Sequence, residues 1–384
     1  MASQERIALF VWSTGHYCQN VLHGVSAFAR PRKPWLFRIA PPEMTALPFI
    51  KAWRPTGIIA FIGDLRFARA IEGLGLPTVD VSNACGDVKV PRVGVDDMAV
   101  GALAAEYLLN NGFRHFGYVG NPADRFSVER EQGFREMLAK AGQRCESYHE
   151  RTAHLPRGAW MPKADLREWM LKRPKPSAVL CANDARGWEL AELCADAGVA
   201  VPEDLAVLGV DDDPLFCGLS YPPLSSVATP AFRIGFEAAA LLERILAGQR
   251  APRQPIRFPP VRVVVRRSSE LIAVADPDVA QALRFIRANA HRPLGVQDLL
   301  GEVHISRRML ELKFRAALQR TPTEELQRVR VQNAKELLST TDLPVAEVAS
   351  KSGFSGSKQL AECFRRVLRT TPRDYRRSFR PDPA

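Results

Sequence analysis

The chain has 384 residues, 46% hydrophobic and 25% charged, and its 53 Lys+Arg against 42 Asp+Glu give a formal charge of +11. That is the composition of an ordinary globular protein of two or three domains, with no apolar run near the roughly 18 residues of a membrane-spanning helix, so no membrane partner is expected. The seven cysteines, at 18, 85, 145, 181, 194, 217 and 363, have neither a C-x-x-C pair nor metal-ligand spacing with the seven histidines, which predicts no metal, no cofactor and buried reduced thiols.

Met1–Arg6 leads directly into the strand-like Ile7–Trp12 without the basic and apolar regions of an export signal, so a cytoplasmic protein is expected. Runs rich in β-formers then recur at Ile7–Val11, Gly57–Ile62, Thr78–Val81, Phe116–Val119, Ala178–Cys181 and Ala206–Val210. Helix-period segments lie between or after them at Met98–Asn110, Val128–Ala141, Asp165–Lys172, Arg186–Ala197 and Phe232–Leu246, several closed by a glycine. Alternation of this kind predicts an α/β fold, a parallel sheet covered by helices on both faces, and two such units in tandem would put ligand groups outside the carboxyl ends of the strands.

The texture changes after Arg266-Arg267. A domain over 1–267, a connector over 268–278 and a helical domain over 279–384 are expected. Residues 276–384 hold 20 Lys+Arg and 13 Asp+Glu, so this small part carries +7 of the +11. Concentrated charge on a helical domain is the footprint of a nucleic-acid reader.

That domain contains a repeat at an offset of 50 residues: Leu310, Phe314, Arg315, Leu318, Thr321 and Pro322 recur as Leu360, Phe364, Arg365, Leu368, Thr371 and Pro372. Each copy reads as a helix with one buried stripe, preceded by a short helix and a tight turn, giving helix-turn-helix units near 296–318 and 345–368. Off the stripes lie Ser306, Arg307, Arg308, Glu311 and Arg315 in the first unit, and Ser357, Lys358, Gln359, Glu362, Arg365 and Arg366 in the second. Arg suits guanine, Gln adenine and Glu the cytosine amino group, while outlying cations suit phosphates. A solvated basic face is the alternative for one unit alone; two in register favour double-stranded DNA as partner. Pro322–Ser339 reads as a longer helix able to hold both units.

Ala346-Glu347-Val348-Ala349, Gly353-Phe354-Ser355, Phe364-Arg365 and Thr371-Pro372-Arg373-Asp374-Tyr375-Arg376 carry a specific resemblance of about 100 residues to the AraC family DNA-binding domain. It implies two recognition helices in successive major-groove faces. The family usually has glycine where this chain has Gln319 and Arg369, and a different capping residue at Pro344.

The N-terminal part resembles the sugar-binding core of the lac/galactose repressor family, itself similar to periplasmic sugar-binding proteins. Gly94-Val95-Asp96-Asp97, Arg114–Gly120, Arg130 before Gly133-Phe134, Ala182-Asn183-Asp184, Val207–Asp212 and Leu224–Val227 occur in the family's order. The resemblance implies two lobes closing on a small sugar. Asp96, Asp211 and Asn183 at strand ends, with Arg130 at a helix start, suit hydroxyl recognition. Asp184 either contacts ligand or caps a turn, as does Asp212; Trp160 is a platform or plain packing; Tyr17 and Asp64 are further candidates from the first lobe.

A sensor of this type joined to an AraC-type reader resembles the family of pentose-operon regulators, along nearly the whole chain including Pro259–Val263. It implies a pentose effector, xylose first, a homodimer formed through the sensor, and RNA polymerase as a partner of an activator. A regulator of a non-pentose ligand is the near alternative. A cytoplasmic sugar-modifying enzyme is the rival class, against which stand the missing G-x-G-x-x-G, phosphate-loop, G-x-S-x-G and H-E-x-x-H motifs. A solute-binding protein is the third, against which stands the basic repeat.

Overall fold

The computed structural model describes residues 4–31, 35–86, 88–150, 164–274 and 276–379. They form two compact units. The first takes 1–106 and 115–270, and the second takes 271–384 together with 107–114. The division after Glu270 lies inside the connector expected from sequence; the inclusion of Tyr107–Arg114 in the second unit was not expected.

The first unit opens with β1 (Arg6–Phe10), α1 (His16–Ala29), β2 (Leu36–Ala40), α2 (Leu47–Trp53), β3 (Gly57–Ala60), α3 (Leu65–Glu72), β4 (Thr78–Asp80) and β5 (Val93–Val95). It continues with α4 (Asp97–Asn110), β6 (His115–Gly120), α5 (Arg125–Lys140), β7 (Cys145–His149), α6 (Ala164–Leu171), β8 (Ser177–Cys181) and α7 (Asp184–Asp196). It closes with β9 (Leu205–Val210), α8 (Pro214–Leu219), β10 (Ser225–Ala228), α9 (Ala231–Leu246), β11 (Ile256–Phe258) and β12 (Arg262–Val264).

These strands build two lobes. One holds the parallel sheet β2-β1-β3-β4, continued through an Asp80–Arg92 bridge to the pair β5-β11. The other holds β12-β10-β9-β8-β6-β7, parallel except for β12. The chain crosses between lobes three times, after β5, β10 and β11. Fully buried runs such as Ile58–Ala60 and Leu205–Val210 explain why the central strands read clearly from sequence. The edge strand β2 is exposed almost throughout, so its residues carry no core pattern and it was not anticipated.

Each lobe contains one helix crossing with no side chain between the backbones. A Cβ on Gly24 of α1 would stand 1.9 Å from the Phe232 carbonyl oxygen of α9, and one on Gly235 of α9 1.9 Å from that of Val21. In the other lobe Gly101 of α4 and Gly133 of α5 meet the carbonyl oxygens of Arg130 and Met98 in the same reciprocal way, at 2.0 Å each. Only glycine permits such an approach.

The second unit contains α10 (Pro277–Asn289), α11 (Val296–Val303), α12 (Arg307–Leu318), α13 (Pro322–Thr340), α14 (Val345–Lys351), α15 (Ser357–Leu368) and α16 (Pro372–Phe379). Its interior has two cores. Val279, Leu283, Leu299, Leu310 and Phe314 gather with Leu326 and Val329 of α13; Val348, Phe354, Leu360 and Phe364 gather with Val331, Ala334 and Leu338 of the same helix. α13 therefore serves both repeats as one shared wall. Its start is set by a capping box in which Thr321 accepts from the Glu324 amide while Glu324 accepts from that of Thr321.

Candidate functional site

A cleft of about 370 Å³ lies between the two lobes of the first unit. Its polar centre is Arg130 on the first turns of α5, where Nε donates to Asp97 Oδ1 at 2.8 Å and Nη1 to the Ala182 carbonyl. The guanidinium also lies 4.9 Å from the centre of the Phe126 ring. Asp211 approaches more loosely, its Oδ1 3.7 Å from Arg130 Nη2 and 3.4 Å from Thr229 Oγ1. Asp211 sits at φ 104°, a conformation that L-residues rarely adopt, immediately after β9.

Burial opposes the charge on Arg130, yet Asp97 and Asp211 beside it hold its pKa above the ordinary value. The same burial pushes both carboxyls up, against the pull of Arg130. A desolvated cation flanked by one tightly and one loosely held carboxylate can donate to and accept from vicinal hydroxyls. Around it Tyr17, Phe61, Trp188 and Phe216 give apolar walls, the pairing of flat faces and convergent polar groups that suits a sugar.

Asp97 is steadied from behind. Asn83, in the segment leading to β5, donates to Asp97 Oδ2 at 2.8 Å and to Glu129 Oε2 at 2.9 Å, and accepts from Arg92, which is itself paired with the buried Asp80 at 2.7 Å. Glu129 also takes Arg125 and Arg257. A continuous polar network thus connects the cleft to the crossing segments.

Of the residues expected from sequence, Tyr17, Arg130, Asn183 and Asp211 line the cleft. Tyr17 contributes its ring, because its hydroxyl donates to the Val81 carbonyl at 2.7 Å and burial raises its pKa well above the ordinary value. Asn183 caps α7, accepting from the Arg186 amide at 3.0 Å. Four of the other expected residues have side chains engaged away from the cleft lining. Asp96 accepts from the Ala99 amide at 3.0 Å as the cap of α4, leaving Asp97 to face the cleft. Asp64 likewise caps α3 through the Phe67 amide. Asp184 is buried beneath the lining, accepting from Ser226 Oγ at 2.6 Å and the Asp213 amide at 2.7 Å, and burial followed by the charge of Asp211 pushes its pKa well above the usual range. Asp212 pairs with Arg266 at 2.7 Å. Trp160 lies outside the described residues.

Sequence reasoning missed Asp97, Phe61, Phe126, Arg186, Trp188 and Phe216. Only Asp97 had a signal, as the neighbour of Asp96. Among the described residues no cluster of His, Cys, Asp or Glu has the arrangement of a metal site, and no helix is long and apolar enough to cross a membrane.

In the second unit α12 and α15 carry the residues expected from sequence to face DNA. Arg308 and Arg315 on the first, and Ser357, Lys358, Glu362, Arg365 and Arg366 on the second, are exposed. Ser306 caps α12 through the Met309 amide at 3.3 Å, and Arg307 pairs with Glu311 at 2.9 Å. Gln359 uses its side-chain oxygen at the start of α15, accepting from the Ser355 amide at 2.8 Å and hydroxyl at 3.1 Å, so bidentate reading of adenine requires releasing that bond. The turn before α12 passes through His304 at φ 53°, and that before α15 through Gly353 at φ 80°. Gln319 and Arg369, at the usual glycine positions, both adopt the left-handed conformation that glycine supplies, with φ 59° and 55°.

Two parts of the chain match known family models. Residues 105–269 match the periplasmic binding protein-like domain and residues 299–378 a helix-turn-helix domain. The xylose operon regulatory protein of Escherichia coli K12 is 29% identical over 381 residues, 97% of each chain, and that of Haemophilus influenzae 27% identical over 380 residues, 97% of this chain and 98% of the relative. A solved structure described as the xylose-binding transcription activator xylR superposes with a TM-score of 0.63 at 28% identity, covering 98% of both chains.

Proposed function

We propose that this chain, a sugar-responsive transcription regulator built like the xylose operon regulators and no enzyme, takes D-xylose or a closely related pentose between its lobes. It acts in the cytoplasm as a homodimer joined through the first unit, binds double-stranded operator DNA through α12 and α15, and recruits RNA polymerase to genes for pentose use. Arg130, Asp97 and Asp211 take the sugar hydroxyls, Asn183 adds a further polar group at the rim, and the aromatic walls take the apolar faces of the ring.

The observation that carries this reading is the Arg130 cluster: a buried cation whose second carboxylate stands 3.7 Å away, short of a good hydrogen bond, in a cleft open to a small polyol. The full-length likeness to regulators named for xylose supplies the choice among sugars. Control follows if the sugar has higher affinity for the closed arrangement of the lobes than for the open one, since a ligand shifts a conformational balance only through that difference.

Titration calorimetry of the full chain with D-xylose, L-arabinose, D-ribose and D-glucose tests it. Saturable binding of D-xylose tighter than of the hexose is expected, with operator affinity changed by the bound sugar. Absence of heat and of thermal stabilisation with every pentose overturns the effector assignment.

A further inference from the structure

We propose that the first recognition helix, α12, reads thymine through its C5-methyl groups, with Met309 and Leu312 as specificity-determining residues, while α15 reads polar base edges. The inference rests on the DNA-binding reading of the second unit and concerns what that reader selects.

Met309 and Leu312 are 46% and 54% exposed on a helix whose core stripe, Leu310, Phe314 and Leu318, is buried. Three residues apart, they lie one above the other on the outward side of the first two turns. The 50-residue repeat puts Gln359 and Glu362 at the same two positions of α15, so the two helices present opposite chemistry at equivalent places.

The polar residues near this apolar pair are otherwise engaged. Glu311 is held by Arg307 at 2.9 Å, and Lys313 is turned to α10, donating to Asp276 at 2.8 Å and Asp278 at 2.6 Å. What surrounds Met309 and Leu312 is cationic, with Arg308 and Arg315 exposed on the same helix. An apolar pair framed by arginines suits a surface that is anionic at its edges and apolar at one point. The major groove is such a surface: phosphates border it, and the thymine methyl is its one apolar group. The patch is also continuous with the recognition face already described.

The test starts from an operator selected by the full chain from a random duplex library, with D-xylose present. Each thymine is then replaced singly by deoxyuridine, which removes the methyl and leaves Watson–Crick pairing intact. Loss of about fourfold in affinity per contacted methyl is expected, from the transfer free energy of one such group. The sensitive thymines should fall in the half of the site protected by α12, with replacements under α15 silent. Leu312→Ser and Met309→Ser, both at exposed positions, should each erase the response at one thymine and keep the unsubstituted chain's melting temperature.

A selected operator indifferent to every deoxyuridine replacement overturns the proposal and leaves the DNA-binding reading intact. So does deoxyuridine sensitivity that persists unchanged in both serine variants. A change in oligomeric state of the serine variants without DNA also overturns it, by assigning the patch to a second copy of the chain. Failure to select any sequence overturns both readings together.

Discussion

Two buried ion sets, one in each unit, are built differently. In the second unit Glu325 of α13 has no exposed surface and is closed by Arg320 at 2.8 Å and Arg328 at 2.7 Å. In the first unit Arg130 is tightly closed on one side by Asp97 but only loosely, at 3.7 Å, by Asp211. A closely paired ion set away from any cleft serves to fix the fold, whereas a loosely paired one at the wall of a cleft keeps hydrogen-bonding capacity for an incoming group. The difference between these two sets is thus one of geometry: the loose one borders a cleft and the close one does not.

The largest expected effect falls on the loose set. Arg130→Ala should weaken sugar binding by about 100-fold or more, since truncating one partner of a buried charge pair costs roughly 2–5 kcal/mol. DNA binding without sugar should be preserved. Calorimetry and gel-shift titration measure the two, and a sugar affinity within threefold of the parent breaks the comparison.

Glu325→Ala removes the closed set's centre and leaves arginines without their partner, so a loss of about 3 kcal/mol from the second unit is expected. All six tryptophans precede residue 190. Their fluorescence therefore follows the first unit alone, and circular dichroism follows both, which lets one melting experiment assign the loss. Sugar affinity should not change.

Acid should act in opposite directions on these two ion sets. Burial works against the Glu325 charge, but Arg328 and Arg320 hold its pKa below the usual glutamate value. The unfolded chain binds that proton more readily, so the contribution is present above the ordinary pKa of about 4.3 and is lost as pH falls through the lower folded value. For Asp97 and Asp211 burial raises the folded pKa. Their ionisation penalises the sugar-free fold as pH rises through that value, and the penalty is relieved on acidification. The melting difference between the parent and Glu325→Ala should therefore shrink from pH 7 to pH 3; a difference that stays constant contradicts the assignment.

The smallest effect sharpens the second unit alone. Gln319→Gly and Arg369→Gly replace residues at φ 59° and 55° with the one residue that adopts that conformation freely. Each should stabilise the unit by about 1 kcal/mol, seen in the circular-dichroism transition and not in tryptophan fluorescence.

The legibility of the chain follows the same division. The repeat announced itself because Leu310/Phe314 and Leu360/Phe364 are fully buried and fixed in spacing by the helix. The central strands were equally plain, and Arg130 was found because one helix start bears it. The cleft's aromatic wall was not legible: Phe61, Phe126, Trp188 and Phe216 come from separate parts of the chain that only the folded lobes bring together. Asp96 and Asp97 could not be told apart from composition, since a helix begins between them and turns the first into a cap and the second toward Arg130.

The reciprocal glycine crossings bear on how such a sensor changes its taste. Because backbone meets backbone in each lobe, α1 with α9 and α4 with α5, there is no side chain at either contact whose size could be altered by degrees. Each of these contacts therefore fixes the spacing of its two helices by backbone alone. Side chains of the cleft can be exchanged one at a time without altering the backbone contacts at either crossing.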